Sequence, residues 1–508
     1  MTSPPFRALL AADEADDRLR QAAHPDDWTN PVPKARYQLV VVGAGTGGLV
    51  SAALAAGLGA RVALVERGLM GGDCLTVGCV PSKSIIRASR AWSDARSAAH
   101  RYGGPSAVGD GDFTVVMERM RRARAGLASA DGARRFRDLG VDVFLGDARF
   151  TSPSSVQVGN AVLRFRRAVI ATGARPSVKD VPGLHGASYH TNETIFTLTR
   201  RPAHLVIVGA GAIGCELAQA FARLGTRVTL LDRGDRVLAN EDPEASAIVD
   251  AALARDGVSV MHGATLQRVV PRGEASTLEI RDSAGSHSLE CDTLLVAAGR
   301  TPNVDNLGLE AAGVQHDAVQ GVIVDDRLRT SNRRVFAVGD VCSARKYTHL
   351  ADFHARIAVP NALFFLRHSA AALVTPRVTY TSPEVAHVGL TAADALREGV
   401  EIDVVDVQMS EVDRAVLDGE TEGYCRVRVA RGSDRIVGVT IVAAHAGEMI
   451  TEATLAMTSK LGLAKIGGTM HPYPTQAEVL RKASDAWQRR KLSPRVKRLF
   501  GWYFRLMA

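Results

Sequence analysis

Short apolar runs alternating with small-residue helices organise the first two thirds of the chain. Tyr37–Val42 reads YQLVVV, the length of one buried strand, and runs straight into Gly43-Ala44-Gly45-Thr46-Gly47-Gly48. A helical stretch through 52–57 follows, then a second apolar run over 61–65 that closes at Glu66. Strand, glycine turn, helix and strand in this order predict a parallel βαβ unit. The pattern returns with strand His204–Val208, turn Gly209-Ala210-Gly211-Ala212-Ile213-Gly214, helix 215–224 and strand Arg227–Leu231 closing at Asp232. In both copies the acid stands 23 positions after the first glycine, and the copies are 166 positions apart. From about Pro376 the pattern changes. Stretches 377–380, Tyr424–Ala430 and 436–442 alternate or run apolar, as strands of an antiparallel α+β domain do.

The glycines point to a ligand. Gly43, Gly45 and Gly48 permit a tight turn and the approach of a pyrophosphate to the amides of a helix N-terminus. Glu66 can hold a ribose hydroxyl pair. Gly209, Gly211, Gly214 and Asp232 repeat the device, so the chain is read as binding two dinucleotides.

Between the two units lies Gly71-Gly72-Asp73-Cys74-Leu75-Thr76-Val77-Gly78-Cys79-Val80-Pro81-Ser82-Lys83. Pro81 suits the first turn of a helix. Cys79 then sits at a positive helix end, which favours a thiolate. Lys83, four residues on, shares its helical face. A close cysteine pair with one activated member is what reversible dithiol chemistry needs. Two structural cysteines, or half of a zinc site, are the competing readings. No second pair exists to complete a zinc site.

Composition narrows the setting. The chain has 508 residues and a net charge of +8, with six cysteines and no low-complexity tract. It is long enough for three or four lobes. No apolar run is long enough to cross a membrane, and residues 1–36 lack the apolar region of a secretory signal. So few cysteines do not suggest a disulfide scaffold, and a reducing cytoplasm is the expected location. Residues 1–36 read as a polar tail with one short helix over 11–22, a disordered extension being preferred to a docking arm. From Arg481 onward there are nine Lys or Arg against one Asp, which accounts for the whole net charge. Nothing therefore supports a nucleic-acid role.

The cysteine segment, with its Pro-Ser-Lys, resembles the redox-active box of the class I pyridine nucleotide-disulfide oxidoreductases, which include lipoamide dehydrogenases, glutathione reductases and mercuric reductases. Ala171-Thr172-Gly173-Ala174-Arg175-Pro176 and Leu294-Leu295-Val296-Ala297-Ala298-Gly299-Arg300-Thr301-Pro302 resemble the family's crossovers between its cofactor domains. Val335-Phe336-Ala337-Val338-Gly339-Asp340 resembles its second flavin motif. The resemblance implies an α/β fold with two Rossmann-like domains, for FAD and NAD(P), and a C-terminal α+β dimerisation domain. The expected boundaries are an extension over 1–36, FAD domain over 37–184 and 292–370, NAD(P) domain over 185–291, dimerisation domain over 371–485 and a basic tail over 486–508. Gly72, Lys83, Thr172, Gly173, Gly299, Arg300, Gly339 and Asp340 join the glycine motifs as cofactor-binding residues. Glu216 is carried over as the carboxylate paired with Lys83 beside the flavin. His349 either faces the flavin or is an ordinary packed or surface histidine. A homodimer with shared active sites is implied.

Departures from the family pattern bear on the substrate. Thiol-disulfide members have a histidine five residues before a glutamate as acid/base. Here the residue five before Glu478 is Tyr473, with His471 two positions earlier. A phenol is a poor base at neutral pH, and mercuric reductases carry tyrosine at such a place. Yet no cysteine follows Cys425, and no paired-cysteine motif precedes Tyr37. The expected reaction passes electrons from NAD(P)H through FAD and the Cys74–Cys79 disulfide to a thiol-bound metal ion such as Hg(II). Cys79 is the flavin-facing thiolate, Cys74 the interchange thiol, and metal contact with the pair is transient. A disulfide reductase of the dihydrolipoamide dehydrogenase kind, a transhydrogenase without disulfide chemistry and a redox-sensing interaction protein are the alternatives. Asp232 favours NADH, while Arg233 and Arg236 suit a 2′-phosphate, so NADH with NADPH tolerated is the expectation. Cys215, beside the second glycine turn, is set apart from the other scattered cysteines. In the tail, Leu492, Val496, Leu499, Tyr503 and Leu506 recur at helical spacing, for packing across a dimer in the preferred reading or for lying on an anionic membrane surface.

Overall fold

The computed structural model describes residues 5–11, 13–109 and 111–507. They form two compact units: one runs through Arg233 and resumes over Gly257–Ala372, and the other takes Gly234–Asp256 and the chain from Leu373.

In the first unit, Val141–Leu145, Val62–Glu66, Tyr37–Val42 and Ala161–Ile170 lie side by side in parallel. Val335–Ala337 adds in parallel to the far strand, pairing Val335 with Ala168 and Ala337 with Ile170. Ser155–Val158 and Ala148–Ser152 extend the sheet in antiparallel fashion. Tyr37, Leu39, Val40 and Val41 are fully buried, as expected of parallel strands covered on both faces. The helix Thr46–Gly57 follows the first strand directly. A second parallel sheet, in the order Val258–Met261, Arg227–Leu231, His204–Val208, Thr293–Val296, carries the second glycine turn and the helix Ala212–Arg223. Both βαβ units are therefore present where the pattern of apolar runs sets them. The two crossovers pair with each other, Ala174–Pro176 against Arg300–Pro302.

The N-terminal segment corrects the expectation of a disordered extension. Glu14–Ala23 is a helix whose first amides are capped by Asp13, and Leu19 and Ala23 are wholly buried. Its acids read as solvated in the sequence because their partners lie far along the chain. Asp13 pairs with Arg121, and Asp16 with Arg124, on the helix Phe113–Asp131. Asp16 and Arg124 are both buried, and a buried charge persists only when paired and hydrogen-bonded.

The second unit is a five-stranded antiparallel sheet in the order Arg377–Thr379, Glu384–Gly389, Ile436–Ala443, Tyr424–Ala430, Ile402–Gln408. The helices Ala446–Thr458 and Glu478–Arg490 pack on its core of Val405, Val427, Val439, Ile441, Ile450 and Leu480. Segment Gly234–Asp256 joins it through a buried ion pair of Asp242 with Arg428, which Thr440 also supports at 2.9 Å. Arg377 adds a second link, to Glu241 at 2.7 Å.

Candidate active site

The redox box folds as two helices broken by Val77 and Gly78. Gly72–Thr76 carries Cys74, and Cys79 opens the long helix Cys79–Tyr102. Gly71 and Gly72 need positive φ to enter this bend, at 98° and 59°. A Cβ on Gly72 would fall 2.6 Å from the Cα of Gly45. The box and the first dinucleotide turn thus meet backbone to backbone.

Cys74 and Cys79 are free thiols that share a hydrogen bond. That bond, received from Cys74, is the main cause that holds Cys79 down to about 6, with further help from Thr348 and the charge of Lys83. The same bond, and then burial, push Cys74 up, so the proton rests on Cys74. Thr348 Oγ1 lies 3.4 Å from Cys79 Sγ and begins the helix Thr348–Phe364. Cys79 therefore meets the positive ends of two helices, its own and this one. Thr348 escaped the sequence reading. Its one signal is its place at the start of the helix that follows the Gly339-Asp340 motif. His349 stacks on Tyr347, with ring centroids 5.4 Å apart.

Lys83 Nζ donates to Glu216 at 2.8 Å. Glu216 is buried in the helix Ala212–Arg223, so the two βαβ units bring this pair together although 133 positions separate its members. Cys215, next to it, is buried and bonds the carbonyl of Ala210.

Both glycine turns form a cradle. A Cβ on Gly48 would lie 1.8 Å from the carbonyl oxygen of Gly43, and one on Gly214 1.8 Å from that of Gly209. Those glycines are required by packing of turn on helix. Gly211 differs: a Cβ there would meet nothing within 4 Å. The chain itself does not need that glycine, and the open space lies at the amide end of a helix, where a diphosphate fits. Glu66 accepts from the amides of Ala44 and Gly68, both at 2.7 Å, and Asp232 accepts from Ala210 at 2.6 Å. Each strand-end acid is thus fixed beside its turn.

Arg300 draws the remaining motifs together. It pairs with Asp73 of the box, donates to the carbonyl of Ala174 at 2.6 Å, and its Nε lies 3.6 Å from Asp340. This buried Nε has no hydrogen-bond partner among the described residues. Burial pushes the carboxyl of Asp340 up, and Arg300 opposes the shift. Thr172 Oγ1 donates to the carbonyl of Asn303 at 2.7 Å, and Asn303 returns a bond to the carbonyl of Thr172. Gly173, at φ +68°, makes the turn, and Gly299, at φ +126°, accepts through its carbonyl from Ser177. An orphaned guanidinium edge, a desolvated carboxyl and an uncovered helix end suit a polar dinucleotide.

Tyr473 and Glu478 lie in the second unit. The Tyr473 hydroxyl donates to Asp413 at 2.9 Å, and that carboxylate holds the phenol above its ordinary value. Glu478 opens the helix Glu478–Arg490 and pairs with Arg481. His471 is held by Glu452 at 3.0 Å and by the carbonyl of Thr469.

Residues 37–359 match the family described as pyridine nucleotide-disulphide oxidoreductase, and residues 375–484 match its dimerisation domain. The chain is 33% identical to a mercuric reductase of Lysinibacillus sphaericus over 95% of its own length and 89% of the relative's. It is 30% identical to a dihydrolipoyl dehydrogenase of Bacillus subtilis, over 89% and 98% of the two chains. Among solved structures, the Cu(II) complex of the HOCl-induced flavoprotein disulfide reductase RclA from Escherichia coli superposes with a TM-score of 0.79 at 26% identity. That match covers 89% of this chain and 99% of the other. The chain belongs to the pyridine nucleotide-disulphide oxidoreductases, enzymes that use FAD and NAD(P)H.

Proposed function

We propose that the enzyme carries electrons from NAD(P)H through a Cys74–Cys79 dithiol/disulfide couple to a thiol-bound soft metal ion, Hg(II) foremost. The observation that carries this reading is Tyr473, bonded to Asp413, where thiol-disulfide members have an acid/base histidine. A phenol held above its ordinary value stays protonated at neutral pH and cannot take a proton from a leaving thiol. It remains a donor to a thiolate ligand. Relatives named mercuric reductase lend support.

FAD is assigned to the first turn, with Gly43, Gly45, Gly48 and Gly72 leaving room for its diphosphate and Glu66 for ribose hydroxyls. Thr172, Gly173, Gly339 and Asp340 complete that site. The second turn, Gly209, Gly211 and Gly214 with Asp232, Gly299 and Arg300, is assigned to the nicotinamide nucleotide. Bound FAD supplies the redox carrier between NAD(P)H and the cysteine pair. Lys83, oriented by Glu216, stabilises the Cys79 thiolate, while Cys74 keeps the proton and meets the substrate. A metal presented as a bis-thiolate exchanges ligands: Cys74 and Cys79 sulfurs bind, two thiols leave with the released protons, and the bound Hg(II) accepts two electrons. Metal contact is transient.

The dimerisation domain supports a homodimer. Tyr473 and Glu478 are proposed to serve the cysteine pair of a second copy, in a shared active site.

A second reading, reduction of a small disulfide, is favoured by the dihydrolipoyl dehydrogenase relative and by the disulfide reductase title of RclA. Hg(II)-dependent NAD(P)H oxidation in excess thiol, beside lipoamide and glutathione disulfide, separates the two. Hg(II) turnover that is lost in Cys79→Ser supports metal reduction. Turnover with a disulfide alone overturns it.

A further inference from the structure

The second unit ends in a helix that none of its own residues buries. Arg490 Nη1 donates to the carbonyl of Val404 at 2.7 Å, and Lys491 lies 3.5 Å over the ring of Trp487, so the chain is anchored up to this point. Ser493 then accepts from Val496, Pro494 takes the first turn, and the helix Pro494–Met507 runs on with no buried residue. At helical spacing Val496, Leu499, Phe500, Tyr503, Leu506 and Met507 share one face. Arg495, Lys497, Arg498 and Arg505 take the other, with Trp502 at the boundary. Leu499 is 61% exposed, Trp502 62% and Leu506 67%.

We propose that this helix lies on an anionic lipid surface, its apolar face in the acyl boundary and its basic face toward acidic headgroups. Three features favour that occupant over a second copy of the chain. No Asp or Glu follows Asp485, so the polar face carries one sign of charge only. The chain before Arg481 is formally neutral and offers no matching negative charge. Two such helices packed on each other would bring one basic stripe toward the other. A broad apolar face with aromatic residues and a basic polar face is the composition of an interfacial helix. No helix among the described residues is long and apolar enough to cross a membrane, so this one lies along the surface rather than spanning it. Docking there would place the enzyme beside the membrane without depending on the electron acceptor.

Co-sedimentation of the full-length FAD-loaded enzyme with vesicles tests the proposal. Vesicles of phosphatidylcholine mixed with phosphatidylglycerol should bind it about tenfold or more tightly than phosphatidylcholine alone. Raised salt should weaken the binding. The triple variant Lys497→Glu, Arg498→Glu, Arg505→Glu should lose it while NAD(P)H oxidation is unchanged. Trp502 emission should shift to the blue on the mixed vesicles, and Trp502→Phe should abolish the shift. Failure to bind, or equal binding to both vesicle types, overturns the proposal. So does a chain ending at Leu492 that falls from dimer to monomer by light scattering, which would make a second copy the occupant.

Discussion

Arg124 Nη1 donates to the carbonyl oxygen of Thr76 at 2.7 Å, and Thr76 stands in the loop between the two redox cysteines. The other end of the guanidinium is held by Asp16 of the N-terminal helix. The same arm reaches the approach to the box twice more: His24 Nδ1 bonds the carbonyl of Gly68 at 2.7 Å, and the amide of Met70 donates to Ala23. A segment that precedes the family match is therefore a brace for the redox loop. Asp16→Ala leaves a buried guanidinium without its carboxylate, a change that costs about 3–5 kcal/mol. The variant should unfold several degrees lower by calorimetry. Its Cys74–Cys79 disulfide should also be reduced faster by dithiothreitol than the parent's. An unchanged melting temperature would mean that the arm is ornamental.

Cys79 provides the pH dependence. Its thiol is held down to about 6, so the thiolate population grows as pH rises through 6 and is nearly complete at neutrality. Alkylation of the pre-reduced enzyme by iodoacetamide should follow that titration, with Cys79 as the modified residue. Lys83→Met removes a favourable charge and should move the midpoint upward, whereas Lys83→Arg should restore most of the shift. A midpoint in Lys83→Met equal to the parent's would remove Lys83 from the site's electrostatics.

The parts of this site visible in the sequence are those whose chemistry is local. Glycine turns, strand-end acids and the spaced cysteines each fit within one short stretch, so Gly43, Asp232 and Cys79 could be singled out from spacing alone. Lys83 and Glu216 needed the family resemblance, because nothing local ties residues 133 positions apart. Arg124 and Asp16 were invisible for the same reason in a harder form. A run of acids near a terminus looks solvated until buried arginines are found opposite it. Arg300 was singled out, but as a cofactor contact. Its pairing with Asp73 depends on how the second crossover packs against the box.

Asp232 bears on the nucleotide. Its carboxylate accepts from the amide of Ala210 and stands at the end of the second strand, where it suits a free 2′-hydroxyl and repels a 2′-phosphate. Asp232→Asn should raise KM for NADH about tenfold and lower it for NADPH, read from initial rates with a common acceptor. A variant whose NADH to NADPH ratio matches the parent's would transfer the choice to Arg233 and Arg236.

Tyr473 gives the sharpest test of substrate class. Hydrogen-bonded to Asp413 and held above its ordinary value, it contributes a donor and no base. Tyr473→Phe removes that donor while keeping the ring, and should lower kcat for thiol-bound Hg(II) about tenfold with little change in NAD(P)H affinity. Tyr473→His should act oppositely on a disulfide. An imidazole can shuttle the proton that leaves with a thiol, so lipoamide or glutathione disulfide turnover should rise, with a new inflection between about pH 6 and 7. The two variants must diverge for Tyr473 to set the substrate class. If both lose Hg(II) and disulfide turnover alike, Tyr473 is a structural partner of Asp413, and selectivity lies with the cysteine pair itself.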